Sequence, residues 1–230
     1  SKQELWWDFL ESLLLTPGKL PRQSVLEIGE KTIDTSLENH YEYSEKDAIT
    51  NAKWSVLNLS DPTPRHTLYR KLYDLLYSIQ DQNNRDDCLN TIAKWAGKEH
   101  RGRESHRTLT DHELKKLSET SLIEIGGHTI SHPILSRPSP EDQEYEIIEG
   151  RRELENVIDH SVSLFAYPYG DQQSYTQQTI EILKENGFKG AVTTSNGTVN
   201  LSSNLFELPR ITIRDWPSSR LLENLASYWR

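Results

Sequence analysis

The chain has 230 residues, which suffices for one ordinary α/β domain or two small ones with a buried core. Its hydrophobic fraction of 34% and charged fraction of 27% are too polar for a membrane protein, whereas six Trp and ten Tyr are too many for a disordered chain. The net charge of -9 argues against general nucleic-acid binding, which needs a basic surface, and the single cysteine, Cys88, excludes an internal disulfide and a Cys-rich zinc site.

The beginning of the sequence has the character of an internal fragment. It starts at Ser1, contains no methionine, and shows neither a signal-peptide pattern nor an apolar stretch of membrane-spanning length. A complete gene product normally begins with Met, so we expect that a further segment precedes residue 1 in the parent protein. The compartment therefore stays open between the cell envelope, the secreted space and the cytoplasm.

Helical periodicity dominates the first half of the chain. The predicted elements are, in order, a helix over 4–15, a β-hairpin over 24–34 that turns at Gly29 and Glu30, a helix over 44–57, and a helical run over 65–97 that breaks at Asn83 and Asn84. We therefore predict that residues 1–107 form a mostly helical insertion or subdomain with a β-hairpin.

From about residue 108, strands and helices alternate. The predicted elements are, in order, a helix over 110–118, a strand over 122–126, a helix over 140–157, a strand over 162–166, a helix over 175–186, strands over 189–194 and 207–213, and a helix over 219–229. Ser139 and Pro140 form a strong helix start, since they supply a cap and a proline in the first turn. The alternation predicts parallel strands in a barrel or an open α/β sheet, with residues 108–230 as the core.

Two histidines follow the first of these predicted strands. His128 and His132 lie in the segment Gly-Gly-His-Thr-Ile-Ser-His-Pro, and Pro133 disfavours a helical conformation at His132. The pair therefore belongs to a loop at the carboxyl end of a strand, where α/β folds bind ligands. The spacing alone carries little weight in a chain with eight histidines. Together with the strand end, it predicts a site for Zn²⁺ or a similar ion, completed by a carboxylate and a water.

A second loop follows the next predicted strand. Its sequence, Phe-Ala-Tyr-Pro-Tyr-Gly-Asp over residues 165–171, contains Pro168 and Gly170, which shape a tight loop that can aim backbone N–H groups into a cleft. Tyr167 and Tyr169 could stack against a sugar ring. A turn that merely covers the end of the sheet is the alternative. Because both loops follow neighbouring strands, we expect them on one rim, and their combination indicates metal-assisted hydrolysis.

These two motifs, His128-Thr-Ile-Ser-His132-Pro133 followed by Phe165-Ala-Tyr-Pro-Tyr-Gly170, resemble the second and third motifs of the polysaccharide deacetylase family, the NodB-homology carbohydrate esterases. The resemblance covers residues 108–215 well. It implies an α/β fold, a distorted and incomplete (β/α) barrel with a largely helical insertion subdomain, that removes N-acetyl groups from a poly- or oligosaccharide.

The resemblance also implies roles for particular residues. His128 and His132 would be ligands of a divalent metal, zinc in this interpretation, and the backbone N–H of Tyr169 would help to hold the oxyanion. The substrate would be an N-acetylated carbohydrate rather than a nucleic acid. The residues predicted to contact it are Tyr167, Pro168, Gly170 and Arg210.

The chain departs from the family pattern in three places. The first motif, Thr-Phe-Asp-Asp-Gly, which supplies the catalytic base and the third metal ligand, is absent, as expected for a fragment. Ala166 stands where an arginine is common. The late Leu-x-His motif, the source of the general acid, is missing, and Leu208-Pro209-Arg210 occupies its place. Arginine cannot give up a proton at neutral pH, so Arg210 could stabilise charge but could not act as the acid.

Two alternatives remain open at the level of sequence. A carbohydrate-binding barrel that has lost catalysis would explain the missing arginine and acid. An interaction module that docks through the helical segment 44–97 would need no metal. We expect that residues 1–230 alone are inactive, because no residue in them is placed to be the base.

Overall fold

The computed structural model describes residues 4–22, 25–29 and 31–228. Of the residues in the predicted elements, Ser24, Glu30 and Trp229 lie outside the described residues. The chain divides into two compact units, Ser1–Thr110 (unit 1) and Asp111–Arg230 (unit 2).

Unit 1 is mainly helical. Its helices and strands are α1 (Trp6–Leu14), β1 (Gly18–Lys19), β2 (Val25–Ile28), β3 (Lys31–Asp34), β4 (Glu42–Tyr43), α2 (Glu45–Asn51), α3 (Pro64–Ser78) and α4 (Gln82–Trp95), with short 3₁₀ helices at Glu38–Tyr41 and Glu104–His106. β2 pairs antiparallel with β3, as the predicted hairpin requires, and β1 pairs antiparallel with β4. The apolar face of α1 packs against α3 and α4 and forms the centre of the core.

The helical run predicted over 65–97 consists of two helices. The break between them lies at residues 79–81, before the predicted position at Asn83 and Asn84. The Asp81 carboxylate accepts a hydrogen bond of 2.8 Å from the backbone N–H of Asn84 and thereby caps α4. Asn83 and Asn84 consequently lie inside the first turn of α4 instead of breaking a helix. The prediction that the asparagine pair breaks the helix is therefore wrong, because the Asp81 side chain caps the start of the helix that contains this pair.

The helix predicted over 44–57 ends at Asn51. Beyond it, the Arg70 guanidinium on α3 donates hydrogen bonds to the carbonyls of Val56 and Asn58. Because those carbonyls are bound to α3, residues 52–60 follow an irregular loop. The buried Arg65 acts in the same way, since its guanidinium donates to four backbone carbonyls: Leu14, Gly18, His40 and Tyr41.

His66 is the most strongly perturbed histidine of unit 1. Its side chain is 1% exposed, its Nδ1 lies 2.8 Å from Thr63 Oγ1, and its ring lies 4.6 Å from the ring of Trp54. Burial lowers the pKa of His66 to about 4, because the imidazolium form would lose its water.

We expect the stability of unit 1 to fall as the pH drops from about 6.5 to about 4. The pKa of His66 in the folded state is lower than in the unfolded chain, so the unfolded chain binds the proton first, and stability is fully present only above the unfolded value. The contribution of this group is at most about 3 kcal/mol. Urea unfolding followed by tryptophan fluorescence at pH 7 and pH 4.5 measures it. His66→Gln should weaken the pH dependence, and His106→Gln, a change at an exposed histidine of the same unit, should not. Equal pH dependence in all three proteins would contradict the assignment.

Unit 2 is an α/β arrangement. Its elements are α5 (Asp111–Ser118), α6 (Pro140–Ile158), β5 (Leu164–Ala166), α7 (Gln177–Glu185), β6 (Gly190–Val192) and α8 (Ser218–Ser227). α6 begins as predicted, because the Ser139 hydroxyl accepts from the Asp142 N–H and Pro140 occupies the first turn. α6 packs against α5 and α7, and the apolar side chains of α6 and α7 cover Phe165 and Ala191 of the sheet.

The sheet of unit 2 is parallel. β5 pairs with β6, and single parallel bridges join Gly127 to Phe165 on one side and Val192 to Leu208 on the other. The strand predicted over 122–126 does not form, and the bridge lies one residue later, at Gly127. The strand predicted over 207–213 is reduced to the single bridge at Leu208. The α/β class is confirmed, and the described residues form no closed barrel.

No helix in the described part of the chain is long and apolar enough to cross a membrane.

Candidate active site

The two predicted loops leave the sheet side by side. The Gly127 N–H donates to Leu164 O (2.8 Å), and the Ala166 N–H donates to Gly127 O (2.9 Å). A side chain at Gly127 would meet the ring of Phe165, because a Cβ there would lie 3.1 Å from its Cδ2. The glycine therefore permits the close strand approach that brings both loops to the carboxyl edge of the sheet, where parallel strands present ligand sites.

The two histidine rings lie next to each other at this edge, with the edge of one ring toward the face of the other. The ring centroids of His128 and His132 lie 4.8 Å apart with an interplanar angle of 75°. Nδ1 of His128 lies 2.6 Å from the carbonyl oxygen of Ala166. Since a carbonyl can only accept, Nδ1 carries the proton, and Nε2 presents its lone pair away from that carbonyl. A backbone carbonyl commonly orients a metal-binding imidazole in this way.

The charge state of His128 suits a ligand. Packing around the ring lowers its pKa below the ordinary value for histidine, and the positive charge of Arg210 acts in the same direction, while the hydrogen bond to Ala166 opposes them. The imidazole is therefore neutral at neutral pH, which is the form that binds a metal ion.

Tyr169 connects the second loop to the first. Its ring lies 4.7 Å from that of His132, at an interplanar angle of 70°. The Gly170 N–H donates to Pro168 O (2.7 Å) and closes a three-residue turn around Tyr169. Because the Gly170 amide is used inside this turn, the role of oxyanion donor remains a prediction for the Tyr169 amide.

Thr194, at the end of β6, fixes this turn from the neighbouring strand. Its N–H donates to Gly170 O (2.8 Å), and its hydroxyl donates to Tyr169 O (3.0 Å). Gly170 has a left-handed φ of 71°, and a Cβ on it would lie 2.9 Å from the Thr194 nitrogen. The position therefore requires glycine for its conformation and for the space beside Thr194.

Backbone strain concentrates in the two loops. In the described ranges, the non-glycine residues with positive φ are Thr129 (65°), His132 (58°), Tyr169 (62°) and Asp159 (60°). Asp159 ends α6, and the other three belong to the candidate site. A β-branched residue such as Thr129 rarely adopts this conformation. Each such residue costs about 1–3 kcal/mol, and strain of this kind is characteristic of functional sites.

Tyr167 and Pro168 are buried beneath the loop. The Tyr167 side chain is 1% exposed, its ring stacks on Tyr175 at 4.0 Å, and its hydroxyl donates to Phe206 O (2.8 Å). Burial raises the pKa of this phenol. The ring of Tyr167 thus supports the loop from the core, and stacking on a sugar, expected for both tyrosines, suits only the half-buried Tyr169.

Arg210 lies at the same edge of the sheet. It follows Leu208, which bridges Val192 in parallel, and its Nε donates to Thr193 O (2.5 Å). The side chain is exposed, and its charge reaches His128. A fixed cation beside the two imidazoles can stabilise negative charge that develops there.

The donor set fits part of a zinc site. Imidazole nitrogens are suitable zinc ligands, and catalytic zinc sites use three protein ligands and a water. Within the described residues, no group of three His, Cys, Asp or Glu side chains could hold a metal ion. The role of His128 and His132 as metal ligands therefore remains a prediction.

Sequence reasoning missed two residues that hold these loops in place, Thr194 and Glu146. The Glu146 carboxylate on α6 accepts hydrogen bonds from the loop between the histidines. The sequence signal for Glu146 is weak, since it consists only of its position four residues before Gly150, a glycine inside a helix. Neither residue belongs to a motif, since both act on loops that are distant in sequence.

The fold places the chain among α/β proteins with a parallel sheet, a class in which ligands bind at the carboxyl edge of the strands. A family model described as polysaccharide deacetylase matches residues 67–191, more than half of the chain. The chain therefore belongs to the polysaccharide deacetylase family, which confirms the resemblance found in the two motifs.

Individual relatives match with lower identity. The Bacillus subtilis protein YxkH, provisionally named as a polysaccharide deacetylase, is 23% identical over 145 residues, which are 63% of this chain and 48% of YxkH. The chain thus spans about half the length of this relative. Similar solved structures include the Streptococcus pyogenes deacetylase PplD in complex with acetate (28% identity, TM-score 0.48, 55% of this chain and 53% of that chain) and IcaB from Ammonifex degensii (22% identity, TM-score 0.46, 56% of each chain).

Proposed function

We propose that this chain is the C-terminal part of a metal-dependent hydrolase that removes N-acetyl groups from a poly- or oligosaccharide. The observation that carries the proposal is the convergence of the His128 and His132 rings beside the strained turn at Tyr169. Membership of the polysaccharide deacetylase family supports the same reaction. Such a reaction consumes one water and yields acetate and a free amine on the sugar.

In this proposal, His128 and His132 hold a divalent cation, and zinc suits their nitrogen ligands. When bound, such an ion polarises the acetamide carbonyl and lowers the pKa of a bound water. The Ala166 carbonyl keeps the His128 ring in the tautomer that exposes Nε2. The Tyr169 N–H donates to the oxygen that gains negative charge, and Arg210 adds a fixed positive charge on the same side.

The proton that leaves the attacking water needs a base. We propose that an aspartate in a segment outside residues 1–230 takes it, and that a second aspartate of that segment is the third metal ligand. The chain covers 48% of YxkH, which is consistent with this division. Such a segment would extend the parallel sheet of unit 2 toward a distorted (β/α) barrel, with residues 1–107 as its insertion subdomain.

We expect no acetate release by residues 1–230 alone from an N-acetylglucosamine oligosaccharide, because no residue that the structure describes is placed as the base. The protein that includes the preceding part of its gene should release acetate, and His128→Ala in that longer protein should not. Acetate from residues 1–230 that His128→Ala abolishes would contradict the division. Asp171 would then be the first residue to test, since it follows the Tyr169 turn.

A second candidate function is carbohydrate binding without catalysis. Ala166 stands in place of the common arginine, and Arg210 occupies the place of the acid histidine, so two groups that assist catalysis are absent. Binding of the same oligosaccharide by the longer protein, without acetate release in the presence of Zn²⁺, would favour this function over hydrolysis.

A further inference from the structure

We propose that helix α6 positions the loop that contains His128 and His132. The Glu146 side chain anchors the loop by hydrogen bonds, and the loop backbone packs directly on Gly150. This inference rests on the proposed function, in which the two histidines hold a metal ion. Glu146 is a positioning residue in this proposal, because it acts on the loop backbone and not on the substrate.

The Glu146 carboxylate binds the middle of the loop through three hydrogen bonds. Oε2 accepts from the backbone N–H groups of Ile130 and Ser131, both at 2.9 Å, and Oε1 accepts from the Ser131 hydroxyl at 2.6 Å. Hydrogen bonds to an ionised acceptor are roughly twice as strong as those between neutral groups. One side chain therefore fixes two consecutive peptide units that lie between the histidines.

Gly150 lies one helical turn after Glu146, on the same face of α6. A Cβ at Gly150 would lie 2.8 Å from the carbonyl carbon of Thr129 and 3.2 Å from the nitrogen of Ile130. The loop backbone thus rests directly on the helix at a point where any side chain would push it away. The glycine costs helix stability relative to alanine, and the close approach of the loop accounts for its presence.

The loop needs an external anchor because its own conformation is unfavourable. Thr129 and His132 both have positive φ, and they flank the segment that Glu146 binds. The separation of 4.8 Å between the histidine rings depends on these two backbone positions. Without the anchor, the loop would relax toward ordinary backbone conformations, and the two imidazole rings would move apart.

Helix α6 is itself held rigidly. Its buried Gln143 accepts from the hydroxyl of Thr179 on α7 (2.6 Å), and Arg151 donates to the carbonyl of Asn186 (2.7 Å). Glu146 lies between these two contacts along the helix. Glu146 therefore belongs to a helix that is held by side-chain hydrogen bonds before and after it, as a positioning residue requires.

Glu146 is not a further metal ligand in this arrangement. Both of its oxygens accept hydrogen bonds from the loop, and the described residues contain no group of three potential ligands that includes it. Glu146 therefore affects metal binding only through the loop. Measurements on the loop without metal consequently distinguish a positioning role from a role as metal ligand.

The direct test is amide hydrogen exchange at Ile130 and Ser131 in residues 1–230 without metal. Glu146→Ala should accelerate exchange at these two amides about tenfold or more, since it removes their acceptor. Glu146→Gln, which keeps one acceptor oxygen, should retain most of the protection. Glu153→Gln, an exposed change on the same helix, is the matched control. Unchanged exchange in Glu146→Ala would overturn the proposal.

The second readout is Zn²⁺ affinity, followed by the imidazole proton signals of His128 and His132. Loss of a residue that orients metal ligands typically weakens metal binding 10–100-fold. We expect that loss in Glu146→Ala and in Gly150→Ala, with partial rescue in Glu146→Gln. Wild-type affinity in both alanine variants would overturn the proposal.

The two proposals fail in different ways. If the longer protein binds no Zn²⁺ at His128 and His132, the proposed function is wrong, whereas accelerated exchange in Glu146→Ala would still establish the anchor. If Glu146→Ala does not fold, Gly150→Ala and Ser131→Ala test the same contacts from the helix and from the loop. Wild-type exchange at Ile130 in both of those variants would overturn the anchor.

Discussion

His128→Ala is expected to remove Zn²⁺ binding from the carboxyl edge of the unit 2 sheet. His128 and His132 are the two proposed ligands, with ring centroids 4.8 Å apart, and a single imidazole holds a metal ion far more weakly than two adjacent ones. The loss should exceed the 10–100-fold typical of an outer-shell change. Calorimetric titration of residues 1–230 with Zn²⁺ at pH 7.5 measures it, and His132→Ala should give the same result.

The matched control for this experiment is His160→Ala. His160 is an exposed histidine of the same unit, outside both loops. Its removal should leave Zn²⁺ affinity unchanged, which separates the site from incidental binding by the other histidines. Equal losses in His160→Ala and His128→Ala would contradict the assignment of the site. In the longer protein, His128→Ala should also abolish acetate release.

Gly170→Ala is expected to lower kcat of the longer protein by about 10²–10³-fold, the usual cost of losing one oxyanion donor. Gly170 has a φ of 71°, and its new Cβ would lie 2.9 Å from the Thr194 nitrogen. The substitution therefore forces the turn away from β6 and moves the Tyr169 amide with it. Because this amide is proposed to act mainly in the transition state, kcat should fall more than KM rises. Initial rates of acetate release measure both constants.

Tyr169→Phe is the control that separates the backbone from the side chain. It keeps the amide, the turn and the ring contact with His132, so most of the activity should remain. Pro168→Gly, which loosens the same turn, should cost far more activity than Tyr169→Phe. A larger loss in Tyr169→Phe than in Gly170→Ala would mean that the phenol itself takes part in the chemistry and that the amide assignment is wrong.

Local signals in the sequence predicted local structure well. Ser139 and Pro140 predicted the start of α6, since capping depends on residues within one turn of each other. The hairpin formed by β2 and β3 follows from alternation around a turn, which is also a short-range property. Where a distant group intervened, the prediction failed, as in residues 52–57, which Arg70 holds as a loop.

The sequence by itself determined the family, the parallel order of the α/β unit and the position of both loops at strand ends. These features depend on short motifs and on alternation along the chain. Only the tertiary structure decided that the strand predicted over 122–126 gives way to a bridge at Gly127 and that the strand predicted over 207–213 is reduced to a bridge at Leu208, because pairing depends on how closely neighbouring strands approach.

The same distinction holds within the candidate site. The motifs identified His128, His132 and Tyr169, whereas the groups that hold them were found only in the folded chain. Ser131 and the carboxylate that binds it are 15 residues apart, and Tyr169 and its partner Thr194 are 25 residues apart. Local periodicity carries no information about such contacts. The strained backbone at these positions persists only because contacts with packed elements distant in sequence hold it in place. The arrangement of the site is therefore a property of the tertiary structure.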